Sequence, residues 1–363
     1  MKDVNDQRSG NEREAYRCGF REGRRMGGCT AALSQVVVIQ PVVRHLKVLY
    51  IPQGFTAIDT GVQDALNQVC SACVIGAPAT MLADAEAHRP DFMLVMNGLH
   101  VFPEDHLEQV RQIRALGIRT AIWFVDDPYF TENTALICQA YDVVFTHEMS
   151  CVRFYHDLGA AKVHYLPLAA SARIYYPRRV KREHQHDICF IGNAFWNRVK
   201  LFDHLAPFLA DKRVLIVGGE WDRLTRLDVL GPFIRPGFMA PEETAQYYNG
   251  SKIVINMHRP TDPGQDNRNT HQLSAESINP RTYEIAACGT LQMTDVRKDL
   301  GRYYRPGYDI ETYSGAEELQ IKLDYYLKHD WERERMAWRA LYTTMQKHMY
   351  PNRMEELLDK AMA

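Results

Sequence analysis

The chain has 363 residues, about twice a typical single domain, which points to two domains. Hydrophobic residues make up 46% and charged residues 24%, which excludes a disordered chain, a collagen-like repeat and a long coiled coil. The 43 basic and 45 acidic residues leave a net charge of −2, no global field for gripping a phosphate backbone, so nucleic acid is not an expected partner.

The first twenty residues carry Lys2, Asp3, Asp6, Arg8, Glu12, Arg13, Glu14 and Arg17. No apolar signal-peptide core fits among them, which implies a cytoplasmic address. Residues 1–35 form a polar, Gly-rich extension. Gly19, Gly23 and Gly27 recur every fourth residue, and the segment reads as a frayed or loosely docked amphipathic helix, because each Gly weakens it. The longest apolar run, 36–39 with 41–43 beyond Gln40, falls far short of the roughly 20 residues that span a bilayer. Of eight cysteines only Cys70 and Cys73 form a CxxC pair. No second pair follows, so both read as small buried hydrophobes and no metal site is expected.

From Lys47 onward, short apolar runs at 48–51, 73–75, 92–96, 120–125, 143–145 and 163–166 alternate with helical patterns near 60–70, 78–88, 104–116, 132–140 and 150–158. Continuous apolar strands separated by helices indicate a parallel sheet covered on both faces. A polar stretch, 173–186 with Pro177, reads as a linker. The alternation then restarts, with strands at 188–191, 214–217, 253–256 and 290–293 and helices near 197–210, 241–249, 280–288 and 315–328. From Trp331 the chain is helical apart from a break at Pro351. Tyr325, Tyr326, Trp331, Trp338 and Tyr342 recur at helical spacing and read as core. The expected architecture is α/β: two Rossmann-like, doubly wound parallel-sheet domains facing a central cleft. Its parts are the extension 1–35, a first domain with linker 36–182, a second domain 183–335, and terminal helices 336–363 packing back on the first domain.

The sharpest segment is Asn279-Pro280-Arg281-Thr282-Tyr283-Glu284-Ile285-Ala286-Ala287-Cys288-Gly289. Pro280 starts a helix, Gly289 stops it, and a buried strand follows. Asn279 and Arg281 sit at the helix start, where free N–H groups and the positive dipole end suit an anion. Glu284, one turn inside, is placed to accept from vicinal hydroxyls such as those of a ribose. Read alone, it is better taken as a surface Glu stabilised by the dipole near a helix start. In the first half, the strand-end loops hold His100, Asp126, Asp127, His147 and Glu148. Asp126 or Asp127, directly after the fourth strand, is the first choice for a base or acceptor ligand, with His100 second. Asp127 precedes Pro128 and is equally a turn former. His258 reads as a satisfied histidine rather than a ligand.

Glu276 stands eight residues before Glu284. This Glu-x7-Glu spacing, the two sheet-and-helix halves and the Ala-Cys-Gly helix end resemble glycosyltransferases of the GT-B fold, and among them the spore-maturation CgeB type. Phe145-Thr146-His147 through Tyr155, Gly159-Ala160, Tyr165-Leu166-Pro167 and Pro177 match the close of that family's first domain. Cys189-Phe190-Ile191-Gly192 with Arg198 matches the opening of its second, and Gly237, the 242–249 helix and Ile253-Val254-Ile255-Asn256 match its middle. The likeness covers about residues 90–350.

The resemblance implies a metal-independent, hexosyltransferase-type enzyme. It would move a sugar from a nucleotide-diphosphate-sugar donor to a hydroxyl-bearing carbohydrate or protein acceptor, in spore or cell-surface glycosylation, with no cofactor beyond the donor. Glu284 would bind the ribose, Gly192 and Arg198 the diphosphate, and the backbone near Gly237 and Phe238 the base. Arg259, Arg281 and Asn279 complete the donor set. Glu276 is either a sugar ligand or a chance match, since Ser277-Ile278-Asn279-Pro280 replaces the glycine-rich turn usual after it. The 261–275 loop is either a lid or an insertion. Two other readings share the architecture: a nucleotide-sugar epimerase and a catalytically silent coat or scaffold protein.

Overall fold

The computed structural model describes residues 2–38, 40–264 and 266–363, with side chains at Glu12 and from Ala15 onward. Ile39, the last residue of the 36–39 apolar run, lies outside the described residues. The first sheet comprises β1 (Arg44–Ile51), β2 (Cys70–Ile75), β3 (Phe92–Met96), β4 (Arg119–Phe124), β5 (Val143–Thr146) and β6 (Val163–Tyr165). It has strand order β2-β1-β3-β4-β5-β6. The second comprises β7 (His186–Ile191), β8 (Val214–Gly218), β9 (Ile234–Pro236), β10 (Ser251–Asn256), β11 (Leu291–Asp295) and β12 (Glu311–Tyr313), in the order β12-β11-β10-β7-β8-β9. Both are parallel throughout. Parallel strands need crossovers, and helices supply them. On the first sheet these are α2 (Thr56–Val69), α3 (Met81–His88), α4 (His106–Ala115), α5 (Thr131–Ile137) and α6 (Met149–Asp157). On the second they are α7 (Trp196–Leu209), α8 (Leu227–Leu230), α9 (Pro241–Gly250), α10 (Pro280–Ala287) and α11 (Leu300–Tyr303), and α12 (Ala316–Lys328) follows the last strand. The chain opens with α1 (Lys2–Leu33) and closes with α13 (Asp330–Lys347) and α14 (Tyr350–Met362).

The period of two along each strand divides the core between the faces. Val48 and Tyr50 of β1 pack on one side of the first sheet, Leu49 and Ile51 on the other. Ile188 and Phe190 of β7 oppose Cys189 in the same way. Every strand buried on two faces must be apolar throughout, which is why the central strands are legible as runs. The edge strands β9 and β12 are not. Each is three residues long, and Arg235, Pro236 and Thr312 dilute their apolar content.

The terminal helices divide between the domains. Met336 and Ala337 of α13 join the core of the second domain. The chain turns at His348–Met349, where Met349 bridges Ala170. Tyr350, Met354, Leu357, Leu358 and Ala361 of α14 then enter the core of the first. That spacing is one helical stripe, and Gly61 of α2 leaves the space that the Tyr350 ring fills. Pro351 is no break; it occupies the first turn of α14, where its missing N–H costs nothing. The aromatic set of 325–342 is not uniformly core. Tyr326 is buried, but Tyr325, Trp331 and Tyr342 are exposed. The extension is anchored at its C-terminal half. Gly28 packs on the Trp338 ring, and Arg24 donates two hydrogen bonds to Glu334, at 2.6 and 2.9 Å. Cys70 is buried and Cys73 half-buried. No helix among the described residues is long and apolar enough to cross a membrane.

Candidate active site

The carboxyl ends of both sheets border one cavity of about 500 Å3 between the domains. In the second sheet this is where strand order reverses, at β7 and β10. Crossovers leave there in opposite directions and open a crevice.

Helix α10 enters this cavity with its N-terminus fixed on all sides. Asn279 is the N-cap, its side-chain oxygen accepting from the Thr282 N–H at 3.1 Å. Its own N–H donates to His258 Nε2 at 3.0 Å, and His258 Nδ1 lies 2.5 Å from Asp295 Oδ1. Since Nε2 accepts, the proton sits on Nδ1 and the ring is neutral, as its burial favours. Burial opposes ionisation of Asp295, yet His258 and Arg297 hold its carboxyl well below the usual range. His258 is thus a satisfied histidine, and its hydrogen bond to Asn279 aligns the start of α10. Glu284 lines the cavity one turn later. Burial pushes its carboxyl up to about 7, against the opposing pull of Arg281 and the Tyr175 hydroxyl.

Three arginines line the same cavity. Arg198 is only 3% exposed and donates to the carbonyls of Asn193 and Met257 at 2.8 and 2.7 Å. Its Nε is buried without an acceptor, as is that of Arg259, which sits against Tyr129, Phe130 and Phe195. Burial lowers the pKa of both groups. A guanidinium stays protonated at any ordinary pH, so burial holds positive charge here at a cost that an anionic ligand would relieve. Arg281 completes the set from α10.

Gly192 and Gly218 shape the floor. A side chain at Gly192 would press on the Arg198 guanidinium, and one at Gly218, whose φ is +145°, would overlap the Gly192 carbonyl. Gly218→Ala should therefore destabilise the protein by about 2–3 kcal/mol through strain and overlap, read as a lowered midpoint in thermal unfolding; an unchanged midpoint would contradict this close packing. Gly237 (φ +90°) turns the chain after β9, and beside it Phe238 stands 86% exposed at the cavity rim.

From the first domain, Asp126 lines the cavity and Asp127 does not. Asp126 Oδ2 accepts from Asn97 Nδ2 at 2.8 Å, its side chain is 25% exposed, and burial raises its pKa. His100 Nε2 lies 4.0 Å from Asp126 Oδ2, and His100 does not line the cavity. Asp127 is corrected: its carboxylate turns into the core, where Thr146 and Tyr155 hydroxyls donate to it at 2.6 and 2.7 Å. Burial pushes it up to about 6. Glu276 is corrected too. Its carboxylate faces Lys298 at 3.1 Å, outside the cavity, so Glu276 and Glu284 do not form a pair across one site.

Glu148 and His147, which the sequence places at a strand end without a role, both line the cavity. Glu148 crosses between domains, accepting from the N–H groups of Glu276 and Ser277 at 3.0 and 3.1 Å. Burial pushes it up to about 7. Burial lowers His147 to about 4, so it is neutral; Nε2 donates to the Asp127 carbonyl at 2.9 Å and the buried Nδ1 is a free acceptor. The 261–275 loop is a strap rather than a free insertion. Thr131 donates to Asn269 at 3.0 Å, the Arg268 N–H to the Tyr129 carbonyl at 2.8 Å, and Ser150 to the Ser274 carbonyl at 2.6 Å.

Comparison with known proteins agrees with this arrangement. Residues 198–359 match a family described as glycosyl transferase-like. Spore protein CgeB of Bacillus subtilis is 30% identical over 304 residues, covering 80% of this chain and 91% of that protein. Sucrose-phosphate synthase from Thermosynechococcus elongatus superposes with a TM-score of 0.59 at 11% identity, over 88% of this chain and 99% of that one. HepE of Anabaena, solved with UDP and glucose, gives 0.57 at 11% identity, over 87% and 99%.

Proposed function

The chain belongs to the CgeB family of GT-B fold glycosyltransferases, and from that premise we propose that it moves a sugar from a nucleoside-diphosphate donor to a hydroxyl-bearing acceptor at a spore or cell surface. The observation that carries the donor class is the pair of guanidiniums of buried Arg198 and half-buried Arg259, each with a buried, unpartnered Nε, lining the cavity that Gly192 also lines. They supply hydrogen bonds and positive charge where a diphosphate gathers negative charge as it departs. With Arg281 they take the role a metal ion would otherwise fill, so transfer is metal-independent and needs no cofactor beyond the donor. Glu284 accepts from the ribose hydroxyls, Phe238 covers the base, and Asp126 takes the proton from the acceptor.

Thermal-shift measurements with UDP, GDP, ADP and dTDP test the donor site. A nucleotide at about 100 times its dissociation constant adds about 2.7 kcal/mol of stability, so at least one should raise the midpoint by several degrees. UDP is the first probe, since HepE is solved with it. A flat response to all four at millimolar concentration removes the donor assignment. With nucleotide sugars, slow release of free sugar marks a transferase, and an isomerised donor marks an epimerase.

A further inference from the structure

We propose that the basic groove between α1, α13 and the segment after β11 is a docking surface for an anionic phospholipid bilayer. The groove encloses about 790 Å3 and lies apart from the active-site cavity, sharing no lining residue with it. Five cationic side chains, Arg302, Arg305, Arg335, Arg339 and Lys347, face one acid, Asp309. That acid is occupied locally: it accepts from the Arg305 N–H at 3.0 Å and lies 3.6 Å from the Arg305 guanidinium. Arg302, Arg335 and Lys347 are exposed and make no ion pair among the described residues. In a chain with a net charge of −2, this concentration of positive charge is local, and it attracts a negatively charged surface.

Charge alone does not distinguish a membrane from an acidic polymer; the rim does. Ala31, Ala32 and Gln35 line the groove, and the chain continues from them into Val37 and Val38, 65% and 78% exposed. The Gln346 side chain satisfies both backbone polar groups of Val37, accepting from its N–H at 2.8 Å and donating to its carbonyl at 3.1 Å. At Val37, whose backbone hydrogen bonds are already made, the aliphatic side chain enters an apolar layer without leaving that residue's polar groups unpaired. Tyr308 and Tyr342, both exposed, add aromatic rings to the lining of the groove, as interfacial surfaces do. Both faces of the Tyr308 ring are closed to a stacking sugar, because Arg305 and Arg339 stand 3.8 and 3.9 Å from its centroid, too close to share one face.

Co-sedimentation of the full chain with phosphatidylcholine vesicles, with and without phosphatidylglycerol, tests the proposal. The protein should pellet only with the anionic vesicles, and salt should release most of it. Arg335→Gln with Lys347→Gln should weaken binding at least tenfold, from about fivefold per cation near an anionic surface. Val37→Ser with Val38→Ser should remove the fraction that survives high salt. Both double variants lie at exposed positions, and an unchanged unfolding midpoint confirms that they fold. Equal pelleting with both vesicle types, or full binding by the charge variant, overturns the proposal. So does binding to polygalacturonate without binding to vesicles, which would assign the groove to an acidic glycan.

Discussion

Asp126→Asn should abolish glycosyl transfer while leaving donor affinity nearly unchanged. The carboxylate follows β4 on the first-domain wall of the cavity, whereas every group proposed to bind the donor lies on the second. Burial raises its pKa above the ordinary value, which strengthens the carboxylate as a base. A positioned base contributes about 10²–10⁴-fold to rate, so the loss is plain in a turnover assay, while titration of UDP by thermal shift shows little change. Asp127→Asn is the control with the opposite signature. Its carboxylate accepts from Thr146 and Tyr155 inside the core, so an amide there disturbs buried hydrogen bonds and lowers the unfolding midpoint without a comparable loss of rate per folded molecule. Full activity in Asp126→Asn would assign proton removal elsewhere, and His100, 4.0 Å away, would be changed next.

Glu284→Gln should weaken donor binding by about tenfold to a hundredfold, the worth of a charged hydrogen-bond acceptor at roughly 1.5–3 kcal/mol. Its pH dependence gives a sharper signature. Burial holds the folded-state pKa near 7 against an ordinary value of 4.5. The donor-free protein therefore keeps the full contribution of this group to stability below about pH 4.5 and loses it as the pH rises through about 7. Donor affinity moves the other way, because the anion accepts hydrogen bonds from two hydroxyls better than the protonated acid. Wild-type affinity should rise between about pH 5.5 and 7.5, and that rise should flatten in Glu284→Gln. Glu148 is also raised to about 7, so the comparison with the variant, not the wild-type profile alone, identifies the group. An identical pH profile in the two proteins would sink the ribose assignment.

The central strands and their helices are legible in the sequence because burial on both faces demands continuous apolar runs, and the covering helices carry one stripe each. The start of α10 is legible for a local reason. Asn279, Pro280 and Gly289 specify a cap, a first turn and a stop within one short segment. Where a side chain points at the end of a strand has no such local code. Asp126 and Asp127 are neighbours of like chemistry, yet one lines the cavity and the other is drawn inward by Thr146 and Tyr155, 19 and 28 residues away in sequence. Glu276 matches a spacing, but Lys298 and the Glu148 clamp decide its surroundings. The role of Arg198 depends on carbonyls of Asn193 and Met257, brought to it by different strands. Hydrophobic period and backbone preference, each acting over a few residues, were enough to set the two sheets, their order of elements and the helix that carries Glu284. Which carboxylates face the cavity, and which arginines keep an unpartnered nitrogen, was settled only in three dimensions, because both depend on hydrogen-bond partners that the fold brings together from distant parts of the chain.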